Sequence, residues 1–257
     1  MRIEVIEGSF FYHPEQLVLR NINFELKEQT IMTILGKNGV GKTTLLKCMI
    51  GLLKWKKGKT LIDSQVFTSL MDFDKVGYVP QAHNTVFAFT VEEMVTMGRA
   101  RHVSLFGLPS KFDKDKVKEA LDSIGISHLK HKLCSEISGG QLQLVYIARA
   151  LVNDPKILIL DEPESHLDFS NQHMVLNKIK EFRDQRGISC IINTHYPDNA
   201  LNISDKTLIL GNENYIFGDS QKVITEENMK DFFDVSVKIY PHHLPGKLIH
   251  SFAVVGE

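Results

Sequence analysis

Hydrophobic positions along the chain follow two patterns, which predict strands and helices in alternation. Residues 3–7 alternate between apolar and polar side chains, as in a half-buried strand. Further strands are predicted from short apolar runs at residues 17–19, 22–26, 31–35, 60–62, 76–79, 156–160 and 188–193. Helical patterns cover residues 45–50, 91–97, 115–121, 142–151 and 168–186. This mixture is typical of an α/β fold.

Length and charge narrow the class of protein. A chain of 257 residues can form one large α/β domain, or a main domain with an inserted lobe. The net charge is −1, so no strong overall field attracts nucleic acid, and we expect no nucleic-acid partner. Cys48, Cys134 and Cys190 are widely spaced and odd in number, which argues against a disulfide framework or a thiolate metal site.

The sequence has no pattern that would place it in a membrane. Glu4 stands where the apolar segment of a signal peptide would have to begin. No apolar run approaches the roughly 20 residues that span a bilayer. We therefore expect a cytoplasmic chain, for which any membrane connection comes through a partner protein.

A glycine-rich segment lies between the strand predicted at 31–35 and the helix that follows it. Its sequence is Gly36-Lys37-Asn38-Gly39-Val40-Gly41-Lys42-Thr43-Thr44. Glycines at these positions let backbone N–H groups surround a β-phosphate closely. Lys42 would reach the β- and γ-phosphate oxygens, and the Thr43 hydroxyl would bind Mg²⁺. The complete motif in this context predicts nucleoside triphosphate binding rather than a simple glycine-rich turn.

Phe10, Phe11 and Tyr12 form an aromatic cluster upstream of this phosphate loop. One such ring can stack on adenine, whereas in the alternative all three rings fill the core. We favour Tyr12 as the stacking ring, because its phenol tolerates the wet edge of a site better than a phenylalanine ring does.

Two other segments carry no catalytic pattern. Residues 54–59 place four lysines around Trp55, which could form a nucleic-acid or acidic-lipid patch, but a solvated turn into the next strand is favoured. Residues 82–135 are predicted to form a helical lobe, interrupted by glycine and proline at 107–110, that contacts another molecule.

Ser138-Gly139-Gly140-Gln141 is the second strong motif. Ser138 can cap the helix that follows, and the two glycines allow the backbone to approach an anion closely. Because the phosphate loop already surrounds its own nucleotide, this helix N-terminus is predicted to bind a further γ-phosphate. The alternative is an ordinary capped helix.

Carboxylate, amide and imidazole side chains follow three of the predicted strands. Asp161 and Glu162 are expected to point to opposite sides, so that Asp161 orients Mg²⁺ and Glu162 polarises the water that attacks the γ-phosphate. The amide oxygen of Gln81 can reach Mg²⁺ or the attacking water. His195 stands where phosphate chemistry would occur, although a histidine in that position alone is more often structural.

In this order the motifs resemble those of the nucleotide-binding subunit of an ATP-binding cassette (ABC) transporter, over nearly the whole chain. They are Walker A at 36–44, the Q-loop at Gln81, the signature at 138–141, Walker B at 157–162, the D-loop at Asp168 and the switch histidine His195. The resemblance implies a P-loop NTPase (RecA-like) core with an antiparallel β subdomain and an inserted α-helical subdomain. It places the nucleotide-binding domain at 1–235, the helical insertion at about 82–135, and a short C-terminal β extension at 236–257.

Several segments resemble the ATPases of metal-chelate importers for iron-siderophore, haem, cobalamin, or molybdate and tungstate. They are residues 78–81, 89–91, 97–107 and 165–172, with the tail from Phe232 to Leu248. Ile137, Leu142 and Glu164 depart from the usual leucine, arginine, and threonine or serine of the family. None of these departures removes an expected catalytic group.

The resemblance also implies a head-to-tail homodimer that binds ATP and Mg²⁺. The residues expected to bind ATP are Tyr12, Gly36, Asn38, Gly39, Gly41, Lys42, Thr43 and Thr44 of one subunit and Ser138, Gly139, Gly140 and Gln141 of the other, with Asp168 at the interface. Thr43, Gln81 and Asp161 would hold Mg²⁺. Glu162 would act as general base and His195 would contact the γ-phosphate.

The implied partners are a membrane permease that docks near Gln81 and the helical lobe, and a substrate-binding protein that acts indirectly. The subunit would then be peripheral on the inner face of the cell membrane. The alternative is a soluble ABC ATPase that acts in iron–sulfur assembly or in regulation. Residues 97–107 and the short tail favour the importer, and the sequence has neither the long coiled-coil insertion nor the strong basic patch expected of a DNA-associated ATPase.

Overall fold

The predicted runs and periodic segments form strands and helices in a computed structural model, which describes residues 1–69, 75–81, 88–104 and 107–256. The strands are β1 (Ile3–Phe11), β2 (Leu17–Leu26), β3 (Ile31–Leu35), β4 (Lys57–Ile62), β5 (Gln65–Phe67), β6 (Val76–Val79), β7 (Ile157–Asp161), β8 (Ser189–Asn193), β9 (Lys206–Leu210), β10 (Tyr215–Asp219), β11 (Ser236–Leu244) and β12 (Lys247–Gly256). The α-helices are α1 (Lys42–Met49), α2 (Val91–Thr96), α3 (Lys111–Ile124), α4 (Gly139–Leu151), α5 (Phe169–Arg186), α6 (Pro197–Ile203), α7 (Ser220–Val223) and α8 (Glu226–Phe233).

Parts of two predictions lie outside the described residues. These are Leu105 and Phe106 of the importer-like segment, and residues 82–87 at the start of the predicted helical lobe. Among the helices that the structure describes, none is both long enough and apolar enough to cross a bilayer.

The chain divides into two compact units. Unit 1 consists of Met1–Ser69 and Ile191–Glu257, and unit 2 of Leu70–Cys190. Unit 1 contains an antiparallel sheet in the order β2-β1-β4-β5, and a second group of strands in the order β10-β9-β3-β8. All five residues of β3 are buried, and β3 lies between β9 and β8 in this order. The carboxyl end of β3 leads directly into the phosphate loop.

Three strands are longer than the sequence predicts. β1 continues to Phe11, β2 joins the two short segments predicted at 17–19 and 22–26, and β4 begins at Lys57 rather than after the lysines. Pairing with β1 explains the early start of β4, since Lys57 lies opposite Ser9 in that antiparallel pair. Hydrogen bonds between strands outweigh the weak strand propensity of lysine.

The C-terminal residues of unit 1 form the antiparallel hairpin β11–β12. Val237 of β11 belongs to a buried cluster that includes Leu35 of β3 and Met229 of α8. Asp234, which ends α8 with φ 56°, forms an ion pair with Lys37 of the phosphate loop. The hairpin is therefore part of the same hydrophobic core as the strand before the phosphate loop.

Unit 2 contains the parallel pair β6–β7 and the helices α2 to α5. Capping boxes start α2 at Thr90 and α3 at Ser110, and both helices pack on α4. Because parallel strands end at the same edge, β6 and β7 deliver Gln81 and Asp161 to one side of this unit.

Candidate active site

The phosphate loop lies in unit 1 between β3 and α1. Gly36 has φ 148°, and a Cβ there would lie 2.3 Å from the carbonyl oxygen of Leu210. Gly41 has φ 108° and directly precedes α1 without a side-chain cap. Only glycine adopts these backbone angles easily. The uncapped N–H groups at the start of α1 form the kind of anion site that binds phosphate.

Lys42 is 5% exposed and points back into the loop. Its Nζ donates to the carbonyl oxygens of Gly36 at 2.7 Å and Lys37 at 3.0 Å. Asn38 and Gly39 are exposed at the tip of the loop, while Thr43 is half-buried and Thr44 is buried. The ammonium group of Lys42 is therefore held inside the phosphate loop by the backbone of the loop itself.

Tyr12 is the exposed ring of the aromatic cluster. Its side chain is 53% exposed, whereas Phe10 is buried and packs edge-on against it with ring centroids 4.9 Å apart. The phenol oxygen of Tyr12 lies 3.2 Å from Oγ1 of Thr44 in α1. The Tyr12 ring is therefore exposed and connected to the helix after the phosphate loop, and stacking on a base stays a prediction.

His195 follows β8 in unit 1 and is half-buried. The segment is tied to the strand before the phosphate loop, because the N–H of Thr194 donates to the carbonyl oxygen of Ile34 at 3.1 Å. Tyr196 N–H then donates to Oγ1 of Thr194, also at 3.1 Å. Unit 1 thus brings together the phosphate loop, Tyr12 and the segment that carries His195.

Asp161 ends β7 in unit 2 and is 4% exposed. The hydroxyl of Tyr78, on the paired strand β6, donates to Asp161 Oδ2 at 3.5 Å. Burial raises the pKa of Tyr78, and the negative charge of Asp161 raises it further, so the phenol stays a proton donor. In the sequence, Tyr78 is part of the importer-like segment 78–81 and has no predicted role of its own, although its place three residues before Gln81 was available as a signal.

Glu162 lies beyond the end of β7 with φ 50°, a left-handed conformation that is uncommon for a residue with a side chain. The strand alternation used to predict opposite directions for Asp161 and Glu162 therefore does not extend to Glu162, whose direction is set by a turn. Gln81 Nε2 donates to Glu162 Oε2 at 2.8 Å, and Ser165 Oγ donates to the same oxygen at 2.9 Å. The sequence analysis missed Ser165.

Ser138 caps α4 in unit 2, as the sequence predicts. Gln141 N–H donates to Ser138 Oγ at 3.3 Å, and Ser138 N–H donates to Gln141 Oε1 at 3.1 Å. In these two bonds Ser138 Oγ and Gln141 Oε1 act as acceptors, and both Ser138 and Gly139 are exposed. An anion can contact the exposed glycine backbone at the N-terminus of this helix.

Asp168 caps α5 and is held by Asn171. The backbone N–H of Asn171 donates to Asp168 Oδ1 at 2.8 Å, and its side-chain Nδ2 donates to Oδ2 at 2.7 Å. The amide of Asn171 also packs against Gly140 of the signature motif. Unit 2 thus connects the signature motif to Asp168, and Gln81 to Glu162.

The chain is similar to known proteins in both sequence and fold. The family model for ABC transporters matches residues 19–165. The molybdate import ATP-binding protein MolC of Haemophilus influenzae is 34% identical over 225 residues, which cover 88% of this chain and 85% of that protein. A protein of Helicobacter pylori with the name probable iron chelatin transport ATP-binding protein is 32% identical over 247 residues, 94% of this chain and 96% of that one.

A solved structure agrees with this similarity. A chain from an ABC transporter described as metal-chelate type, in an inward-facing conformation, superposes with a TM-score of 0.89 at 30% identity, covering 98% of this chain and 96% of that chain. The expected fold, a P-loop NTPase with mixed α/β sheets and helices, is confirmed by this likeness. By sequence and by fold, the chain belongs to the ABC transporter family and is an ATP-binding subunit that hydrolyses ATP.

Proposed function

We propose that this subunit drives the import of a metal chelate or a metal oxyanion through a separate permease. Relatives with names of molybdate import and iron chelatin transport, and the metal-chelate type structural neighbour, support this class of cargo. The chain itself would not contact the cargo, because its chemistry is directed at phosphate. The alternative is a soluble ABC ATPase that acts in iron–sulfur assembly or regulation.

The proposal that the subunit works with a separate permease depends on one observation, a groove in the helical lobe of unit 2. The groove has a volume of about 830 Å³. Its apolar lining includes Phe89, Met97, Ala100, Val103 and Pro109. A short amphipathic helix from a partner could place apolar side chains in such a groove, as in other helix-in-groove complexes. A membrane permease that presents one helix at this lobe is therefore the partner that we propose.

A buried ion pair fixes the wall of this groove. Arg99, in the 3₁₀ segment that carries Met97 and Ala100, is 7% exposed. Its Nε donates to Asp113 Oδ1 at 2.9 Å, and its Nη1 donates to Asn153 Oδ1 at 2.8 Å. These bonds attach the 3₁₀ segment to α3 and to Asn153, the second residue after α4. The groove is thus built on a rigid frame, which is suited to relaying movement to a partner.

The proposed ATP site forms between two copies of the chain. Tyr12 and the phosphate loop of one subunit would hold the nucleotide, and residues 138–141 of the other would contact its γ-phosphate. Exposure of Gly139 at the start of α4 supports this arrangement. Asp168 would act at the interface between subunits, through the start of α5.

Mg²⁺ would be held by Thr43, Gln81 and Asp161. Each of these side chains has an oxygen atom that can bind a metal, and oxygen is the ligand that Mg²⁺ prefers. A carboxylate only accepts hydrogen bonds, so the Gln81 atom that contacts Glu162 is the donor Nε2. The amide oxygen Oε1 of Gln81 therefore points away from Glu162. The bound ion would neutralise charge on the phosphates during phosphoryl transfer.

Glu162 is proposed as the general base. Its carboxylate would accept a proton from the water that attacks the γ-phosphorus, and His195 would contact the γ-phosphate oxygens. The bond from Gln81 links this base to the strand end next to the helical lobe. A permease bound at the groove could therefore alter the hold on Glu162 by moving Gln81.

The test uses the Glu162→Gln variant of the full chain. We expect it to retain ATP binding, to lose most turnover and to form an ATP-dependent dimer. Tagged and expressed in its native host, it is captured from detergent-solubilised membranes with ATP and Mg²⁺, and co-purifying proteins are identified by mass spectrometry. A polytopic membrane protein is the expected partner.

A groove variant makes the experiment specific. In the Glu162→Gln background, Met97→Glu should abolish recovery of the membrane protein, whereas Leu52→Glu, which changes an exposed apolar residue that does not line the groove, should not. Recovery of soluble partners alone would instead support the assembly or regulatory ATPase. Wild-type turnover by Glu162→Gln would contradict the general-base assignment.

A further inference from the structure

The turn that carries Glu162 is closed by Ser165 in two ways. The backbone N–H of Ser165 donates to the carbonyl oxygen of Glu162 at 3.1 Å. The side-chain Oγ of Ser165 donates to Glu162 Oε2 at 2.9 Å. The same residue therefore holds both the main chain and the carboxylate of Glu162, which has the left-handed φ of 50°. Such backbone strain persists only where surrounding contacts maintain it.

A second donor reaches the same carboxylate oxygen from a different part of unit 2. Gln81 Nε2 lies 2.8 Å from Glu162 Oε2. Gln81 follows β6, whereas Ser165 belongs to the same turn as Glu162. Of the two donors, Ser165 is therefore the one whose place relative to Glu162 is set by the turn itself.

We propose that Ser165 is a positioning residue for Glu162, and that its hydroxyl keeps the carboxylate oriented toward the attacking water. This proposal rests on the assignment of Glu162 as general base. Ser165 itself would not contact ATP. Its contribution would be to restrict rotation of the carboxylate, so that more molecules hold it in the productive direction.

We expect loss of the Ser165 hydroxyl to slow turnover and to leave nucleotide binding unchanged. A hydrogen bond to a charged group at the lower end of the usual range corresponds to about a tenfold change in rate. We therefore expect Ser165→Ala to lower kcat for ATP about tenfold, with KM within about twofold of wild type. Ser165→Thr keeps a hydroxyl at the same place and should restore most of the turnover.

The matched control is Ser110→Ala. Ser110 Oγ also donates to a carboxylate three residues away, that of Asp113 at 2.6 Å, but in the start of α3. Steady-state ATP hydrolysis and thermal unfolding are measured for the full chain of each variant, without a permease. Ser110→Ala should lower Tm and leave kcat unchanged, whereas Ser165→Ala should lower kcat.

The proposal is wrong if kcat of Ser165→Ala stays within about twofold of wild type. It is also wrong if Ser165→Thr fails to restore turnover, because a hydroxyl would then not be the group that matters.

The double variant Ser165→Ala/Glu162→Gln should turn over no more slowly than Glu162→Gln alone, and a further loss would show that Ser165 acts elsewhere. Glu162→Gln measured alone tests the general base separately: wild-type turnover there removes that assignment, whereas an inactive Glu162→Gln with a normal Ser165→Ala removes only the role of Ser165.

Discussion

The two signature glycines should respond very differently to the same substitution. A Cβ on Gly139 would meet only Leu167 Cδ2, at 4.0 Å. A Cβ on Gly140 would lie 2.5 Å from Cγ of Asn171, and 2.7 and 2.8 Å from the other two atoms of its amide. Gly140→Ala should therefore be less stable than Gly139→Ala.

The size of the difference follows from the overlap at Asn171. Ordinary contact begins at 3.4 Å, so the amide and the methyl group must separate by about 0.9 Å. Overpacking of this kind costs about 1–3 kcal/mol in the free energy of unfolding. Both variants gain the helix propensity of alanine, up to about 1 kcal/mol, and this gain cancels in the comparison. Gly140→Ala should therefore be about 1–3 kcal/mol less stable than Gly139→Ala.

The same displacement should weaken the start of α5. Asn171 holds both oxygens of Asp168, and loss of a helix N-cap costs about 1 kcal/mol. For a chain of this length, each kcal/mol changes Tm by about 2–4 °C. Thermal unfolding of the nucleotide-free chains, followed by circular dichroism, should therefore place Tm of Gly140→Ala at least about 2 °C below that of Gly139→Ala.

An equal Tm for the two variants, or a lower Tm for Gly139→Ala, would refute the reasoning from Asn171. A second measurement separates folding from binding. If exposed Gly139 contacts the nucleotide of a second subunit, Gly139→Ala in the Glu162→Gln background should keep its Tm and form less ATP-dependent dimer.

Two further predictions concern Tyr12 and Asp113. Stacking of a base on an aromatic ring is worth about 1–3 kcal/mol, so Tyr12→Ala should weaken ATP affinity about tenfold or more in titration calorimetry. Tyr12→Phe keeps the ring and should keep most of the affinity. Equal affinities of the two variants would contradict stacking. Hydrogen bonds from Ser110, and then from Arg99, lower the pKa of Asp113 from its ordinary 3.8 to about 2. Because the folded pKa is the lower one, the stability that wild type gains over Asp113→Asn should be constant above about pH 5 and decrease as pH falls toward 2. Urea unfolding midpoints test this, and an unchanged difference at low pH would be inconsistent with it.

The sequence was sufficient for features that depend on local chemistry. Three elements begin as predicted because their first residues determine their structure: the phosphate loop needs glycine at Gly36 and Gly41, Ser138 caps α4, and Asp168 caps α5. The buried strands β3 and β7 were found because unbroken apolar runs indicate burial on both faces. The motifs and their order were enough to identify the family.

Contacts between residues far apart in the chain could not be read in this way. Nothing in the local sequence around Lys57 indicates a strand, since pairing with β1 creates it. The alternation rule does not apply at Glu162, because β7 ends at Asp161 and a turn closed by Ser165 follows it. Gln81 and Glu162 are 81 residues apart in the chain, yet one hydrogen bond joins them.

The sequence by itself therefore determined which groups this ATPase possesses: the phosphate loop, the acidic strand end, the signature motif and the order that defines the family. The tertiary structure decided how those groups are held, through Asn171 between Gly140 and Asp168, and through Ser165 and Gln81 on Glu162. The physical reason is that backbone angles and helix caps depend on a few neighbouring residues, whereas the direction of a side chain depends on partners that only folding brings within hydrogen-bonding distance.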